Sequence, residues 1–168
     1  MRNAHLVRRA LLLGTVFIVA SLTGLRPSAQ TTHILVTPTD VKWAPAPPSL
    51  PPGAQAAVLE GDPTKPGLFA MRIKLPDNYR IAPHFHGADE HVTVLQGTFV
   101  VGMGEKFDEK AAKDLTAGSF AMMPSGMRHF AFTKGETLLQ VHAIGPWTLT
   151  YVNPADDPRN KTTAARPH

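Results

Sequence analysis

The 168-residue chain contains no cysteine, which excludes disulfides, thiolate metal sites and thiol nucleophiles. Its first thirty residues contain no acid, and Arg2, Arg8, Arg9 and Arg26 all fall there. The formal charge of +4 is therefore a property of that segment, and the remainder balances thirteen basic residues against thirteen acidic ones. A near-neutral remainder lacks the basic footprint that nucleic-acid binding requires. The longest uncharged apolar run, Ala10 to Leu25, has sixteen residues, short of the roughly twenty that cross a bilayer as a helix. No cysteine follows that run, so it is not a lipoprotein signal. No internal repeat is visible, and a chain of this length suits one domain with one core.

What is present begins with an export pattern. Arg2, Arg8 and Arg9 precede the apolar run, and Ser28, Ala29 and Gln30 follow it, which is the layout of a cleaved signal peptide over residues 1–29. Adjacent Arg8 and Arg9 leave twin-arginine export open beside the ordinary route. The expected location is the periplasm or outside the cell, with no stable membrane insertion after cleavage. Residues 30–57 read as an extended segment, because PAPPSLPP at 45–52 holds five prolines and can be neither helix nor inner strand.

From residue 58 to 152 the apolar period is two. Phe69, Met71, Ile73 and Leu75 alternate with Ala70, Arg72 and Lys74, the mark of a half-buried strand. VTVLQGTFVVGMG reads as two strands turning at Gly97, and GSFAMMP, RHFAFT, TLLQVHAI and WTLTYV as further strands. FDEKAAKDL, residues 107–115, is the one helix expected. Met103, Met122, Met123, Phe99, Phe120 and Phe132 are expected in the core, and Trp147 and Tyr151 at the barrel rim. Residues 153–168 are nearly devoid of apolar side chains and are expected to form a flexible tail. The pattern predicts an all-β sandwich or barrel.

The chemistry concentrates in HFHGADEH, residues 84–91. On a strand, His84 and His86 share a face. On the next strand Glu90 shares a face with Val92 and Val94, so inward valines bring a carboxylate beside two imidazoles. Two histidines and a carboxylate suit a divalent transition metal. Strand parity favours Glu90 over Asp89 or His91 as the acid-side ligand, and His91 then faces away from the metal.

Two segments together resemble the paired motifs of the cupin superfamily. His84, His86, Glu90 and Gly97 meet the first motif, His-x-His, three or four residues, Glu, six residues, Gly. Gly118, Pro124, Gly126 and His129 meet the second, with Thr133 where the family has Asn. The resemblance implies a double-stranded β-helix, the jelly-roll cupin barrel, holding one metal (iron, manganese, zinc or nickel) through His84, His86, Glu90 and His129. More loosely the chain is similar to the small exported cupins of the ChrR-like branch, whose relatives include acetylacetone-cleaving dioxygenases. Homodimers are an expectation from the same resemblance.

Four protein ligands around a six-coordinate ion leave two positions, and the residual positive charge favours a chelating, oxygen-rich small molecule. Three function classes fit: a dioxygenase-like oxidoreductase on an enolisable or phenolic substrate, a non-redox isomerase or lyase, and a non-catalytic metal or small-ligand binding module. His142, which shares a face with Gln140, is a candidate proton shuttle if that face lines the pocket.

Overall fold

Alternating burial builds the barrel, as the strand Gly67–Leu75 shows: Phe69, Met71, Ile73 and Leu75 are all buried while Arg72 and Lys74 are not. The structure, a computed structural model, describes residues 33–161. The chain divides into two units, Met1–His33 and Ile34–His168, and the description that follows concerns the second. The expected signal peptide lies outside the described residues. Among the described residues no helix is long and apolar enough to cross a membrane.

In chain order the strands are β1 (Ala44–Pro45), β2 (Gln55–Glu60), β3 (Gly67–Leu75), β4 (Arg80–His86), β5 (Glu90–Met103), β6 (Lys113–Thr116), β7 (Phe120–Met123), β8 (His129–Gly145) and β9 (Leu149–Tyr151). All pairings are antiparallel and join them into one sheet. The long strand β8 is its spine. One edge of β8 bonds to β5; the other bonds first to β4, through His129–Phe132, and then to β3, through Thr137–Gly145. A strand shared in this way curls the sheet around one apolar interior, filled by Phe69, Met71, Leu75, Val92, Val94 and Val141 among others. The sheet reaches back into the proline-rich region, since β2 starts at Gln55 and β1 pairs with it.

Three expectations change. Gly97 does not turn the chain between two strands: β5 runs straight through it, with register shifts between Val94 and Thr98 and φ +78 at the glycine. It is a bulge that bends one long strand. The helix expected at 107–115 is instead a single 3-10 turn, Glu109–Ala111, followed by β6. That turn buries no residue, so a longer helix would have had no apolar face to pack. Leu115 instead takes a place in the ladder opposite Phe99. Finally, Phe120, Met122 and Met103 are exposed and Phe132 is only half-buried, so none of them is core. On β7 Met123 takes the inward position and parity sends Phe120 and Met122 outward; on β8 buried Ala131 and Thr133 flank Phe132, and Met103 is the last residue of β5.

Thr133, the departure from the second motif, is fully buried and satisfies its surroundings. Its hydroxyl donates to the Pro76 carbonyl and accepts from the Tyr79 amide, which ties the 76–79 turn to β8. Beyond β9, residues 153–161 form a 3-10 turn and one helical turn. Arg159 Nη2 donates from there to the Leu149 carbonyl.

Candidate metal centre

The three histidines come from strand ends that the sheet registers together. His84 and His86 sit two apart at the end of β4, and His84 pairs directly with His129 at the start of β8. Glu90 opens β5 with its side chain on the face of Val92 and Val94. All four are buried, between 2% and 7% exposed. Two turns hold the frame: Gly126 N donates to the His86 carbonyl, and Ser125 donates through its amide to Asp89 Oδ1 and through its hydroxyl to the Gly87 carbonyl. Asp89 therefore ties one motif to the other from outside the cluster.

One candidate ligand nitrogen on each of His84, His86 and His129 lies within 4.8 Å of those on the other two. Each Nδ1 faces a backbone carbonyl, of Ala82 at 2.8 Å, Thr148 at 2.8 Å and Met127 at 3.0 Å. A carbonyl can only accept, so each Nδ1 carries the proton and each Nε2 presents a lone pair. This is the tautomer and the outer hydrogen bonding that metal-binding imidazoles use. His86 Nε2 is buried and has no hydrogen-bond partner. A buried orphan lone pair is costly unless something meets it, and a cation would. Trp147 lies flat on the His86 ring, at 4.8 Å and 11°, and fixes its plane.

Glu90 Oε2 is 3.4 Å from His86 Nε2 and 3.8 Å from His129 Nε2. These are ion-pair distances, yet the metal-free site holds no ion pair near neutral pH. Burial, with lesser repulsion from His129, pushes His86 down to about 4; burial pushes Glu90 up to about 8. His84 is held well below the usual histidine range by burial, then by His129 and His86, and His129 is lowered by burial. Three neutral imidazoles and a carboxyl without a counter-charge form a donor set suited to a divalent ion.

These shifts fix a pH dependence. The depressed histidines stabilise the metal-free fold as pH rises through their unfolded value near 6.5, an effect complete about one pH unit above it. Glu90 acts oppositely: its raised folded pKa makes the native state hold a proton that the unfolded state has lost. Stability is therefore expected to fall by about 2 kcal/mol between pH 6.5 and 8 through Glu90 alone. Urea unfolding of metal-free protein and of its Glu90→Gln variant, run side by side across that window, should diverge by this amount, since the histidine contribution is common to both.

The four residues line a small cavity of about 30 Å³, room for about two waters. Its other walls are Leu50, Ile73, Leu75, Ile81, Val92, Phe99, Ala131, Leu139, Val141, Trp147 and Leu149. His142 is not among them. Leu139, Val141 and Ala143 take the inward positions of β8, so His142 lies on the outer face, opposite His91 and beside Gln140. There it lines a surface groove with Leu68, Asp89, His91 and Ile144, too far out to serve as the expected proton shuttle. Leu50 and Trp147 are wall residues that the sequence reading did not place at the site. The signal for Leu50 was its position, a lone leucine within a proline run.

Comparison with known proteins agrees with the fold. A family model described as "Domain of unknown function (DUF4437)" matches residues 34–164. No curated protein matches the chain. The polyketide cyclase RemF from Streptomyces resistomycificus superposes with a TM-score of 0.60 at 21% identity, over 79% of this chain and 94% of that one. An RmlC-like cupin from Shewanella frigidimarina gives 0.52 at 17% identity, over 67% and 91%. The chain belongs to the family of that model, and its fold is that of the cupins. A protein from Methylibium petroleiphilum assigned as an acetylacetone dioxygenase gives 0.59 at 18% identity, over 78% of this chain and 88% of that one. At these identities the likeness is one of fold.

Proposed function

We propose that this cupin is exported, holds one divalent transition metal through His84, His86, Glu90 and His129, and acts as a dioxygenase-like oxidoreductase. Its substrate class is a small, oxygen-rich, enolisable or phenolic compound. The observation that carries the reading is the composition of the cavity wall: among the described residues, no acid or base lines it apart from the four candidate ligands. Isomerase and lyase chemistry relies on a positioned acid or base beside the reacting atoms, and this wall offers aliphatic and aromatic surface instead. Such a wall keeps waters few and admits an apolar co-reactant such as dioxygen. A metal bound there would supply Lewis acidity toward a chelating oxygen ligand and electron transfer with dioxygen. The chain's own part is to orient three imidazoles through backbone carbonyls, to supply a carboxylate whose charge offsets part of the metal's, and to limit the water at the centre. The fold relative assigned as an acetylacetone dioxygenase fits this substrate class.

A second reading, a non-catalytic metal-holding module, draws support from the small size of the cavity. Oxygen uptake separates the two. Protein loaded with iron(II), one ion per chain, is expected to consume oxygen with at least one member of a β-diketone and catechol panel, and His86→Ala is expected to abolish it. Full iron loading with no uptake across the panel would leave the module reading.

A further inference from the structure

The cavity beside the metal ligands is too small for any organic substrate, so a substrate has to be let in. We infer that residues 45–54 form a movable strap that gates this cavity and that Leu50 is its bolt. The inference rests on the proposed metal site for its purpose, though not for its geometry.

Leu50 is 5% exposed and lines the cavity together with His84, His86, Glu90 and His129. On its other side lies an open groove of about 300 Å³, walled by the strap itself with Pro158 and Arg159. Among the described residues, Leu50 alone borders both the inner cavity and this groove. It is thus the partition between solvent and the metal ligands on that side, and its withdrawal joins the two spaces.

The strap is held to the barrel by few bonds. Five of the eight residues from 45 to 52 are proline, so most of the segment has no amide to offer a neighbouring strand. Its ladder is the two-residue β1, extended by Ala46 N to the Ala54 carbonyl at 3.0 Å. Leu50 N bonds within the strap, to the Pro47 carbonyl. Two hydroxyls of the barrel clasp it: Tyr79 donates to the Pro51 carbonyl, and Tyr151 donates to the Ser49 carbonyl at 2.8 Å. Opening therefore breaks few hydrogen bonds, while the prolines keep the segment extended and stiff. Gly53, at φ +105, sits where a hinge would bend. Segments with few backbone bonds and little buried apolar area open well below the free energy of global unfolding.

Two measurements test the gate. In the first, full-length protein carrying one cobalt(II) per chain is mixed with excess EDTA, and release is followed by the loss of its visible absorption. Leu50→Ala and Tyr151→Phe are each expected to speed release by about ten-fold or more. Leu139→Ala, which enlarges the same cavity from a sheet strand, should stay within about two-fold of the unmodified protein. Unchanged release in both strap variants, or equal acceleration by Leu139→Ala, would overturn the gate. The second measurement needs no metal. In native-state hydrogen exchange of the metal-free chain, the amides of Ala46 and Leu50 are expected to exchange about a hundred-fold or more faster than those of Met71 and Val141. Equal protection would mean that the strap leaves only on global unfolding, and the gate would fail. If cobalt does not bind at all, the metal reading falls while the exchange result still decides the gate.

Discussion

Replacing any one of His84, His86 or His129 by alanine is expected to weaken divalent-metal binding by about a hundred- to a thousand-fold while the barrel stays folded. The size follows from the geometry. Each imidazole presents a lone pair already oriented by its own backbone carbonyl, so its loss removes a prepaid ligand that water cannot replace in kind. The fold survives because the ligands sit at strand ends, whereas Phe69, Met71, Val94 and Val141 fill the interior. Removing a histidine also removes the burden of keeping it neutral and buried. Glu90→Gln should weaken binding less, since an amide oxygen remains while the charge is lost. Competition titrations with a chromogenic chelator, paired with far-ultraviolet circular dichroism, measure both halves. Four variants that bind as tightly as the unmodified chain would sink the assignment.

Gly97→Ala is expected to cost about 4 kcal/mol and to leave little folded protein at 37 °C. Gly118→Ala, the other glycine that spaces the two motifs, is expected to cost only about 1 kcal/mol. Both glycines have φ in the left-handed region, +78 and +88, so both substitutions carry the same backbone strain. They differ in surroundings. A Cβ on Gly97 would sit 2.3 Å from the Glu136 carbonyl oxygen and 2.7 Å from Thr137 Oγ1, whereas one on Gly118 meets nothing within 4 Å. Thr137 is fully buried and cannot retreat. Opening that contact would push β8 away from β5 at the bulge that curls the sheet. Thermal melts of the two variants side by side separate strain from collision. Equal losses would show that the bulge tolerates a side chain.

The parts of this molecule legible in its sequence are those where one period governs. Strict alternation at Phe69, Met71, Ile73 and Leu75 foretold which side of β3 is buried. The same parity, carried from Val92 and Val94 back to Glu90, placed the carboxyl group inside and His91 outside. Features set by distant partners were not legible. The merging of two expected strands through Gly97 depends on the length of β8, which no local signal announces. The outward placement of Phe120 and Met122 depends on which residue of β7 faces Glu90. His142 pairs with Gln140 as a pocket lining would, but the apolar neighbours Leu139, Val141 and Ala143 have the stronger demand for the interior and turn it outward. The proline strap looked like a linker because proline forbids helix and inner strand, yet nothing in that rule says what its one leucine covers.

X-ray absorption at the metal edge of zinc-loaded protein tests the central claim most directly. Three imidazole nitrogens and at least one oxygen in the inner shell, with one ion per chain and the imidazole signal reduced by one in His129→Ala, is the predicted result. A shell of oxygens with no imidazole scattering, or one unchanged by His129→Ala, would contradict it.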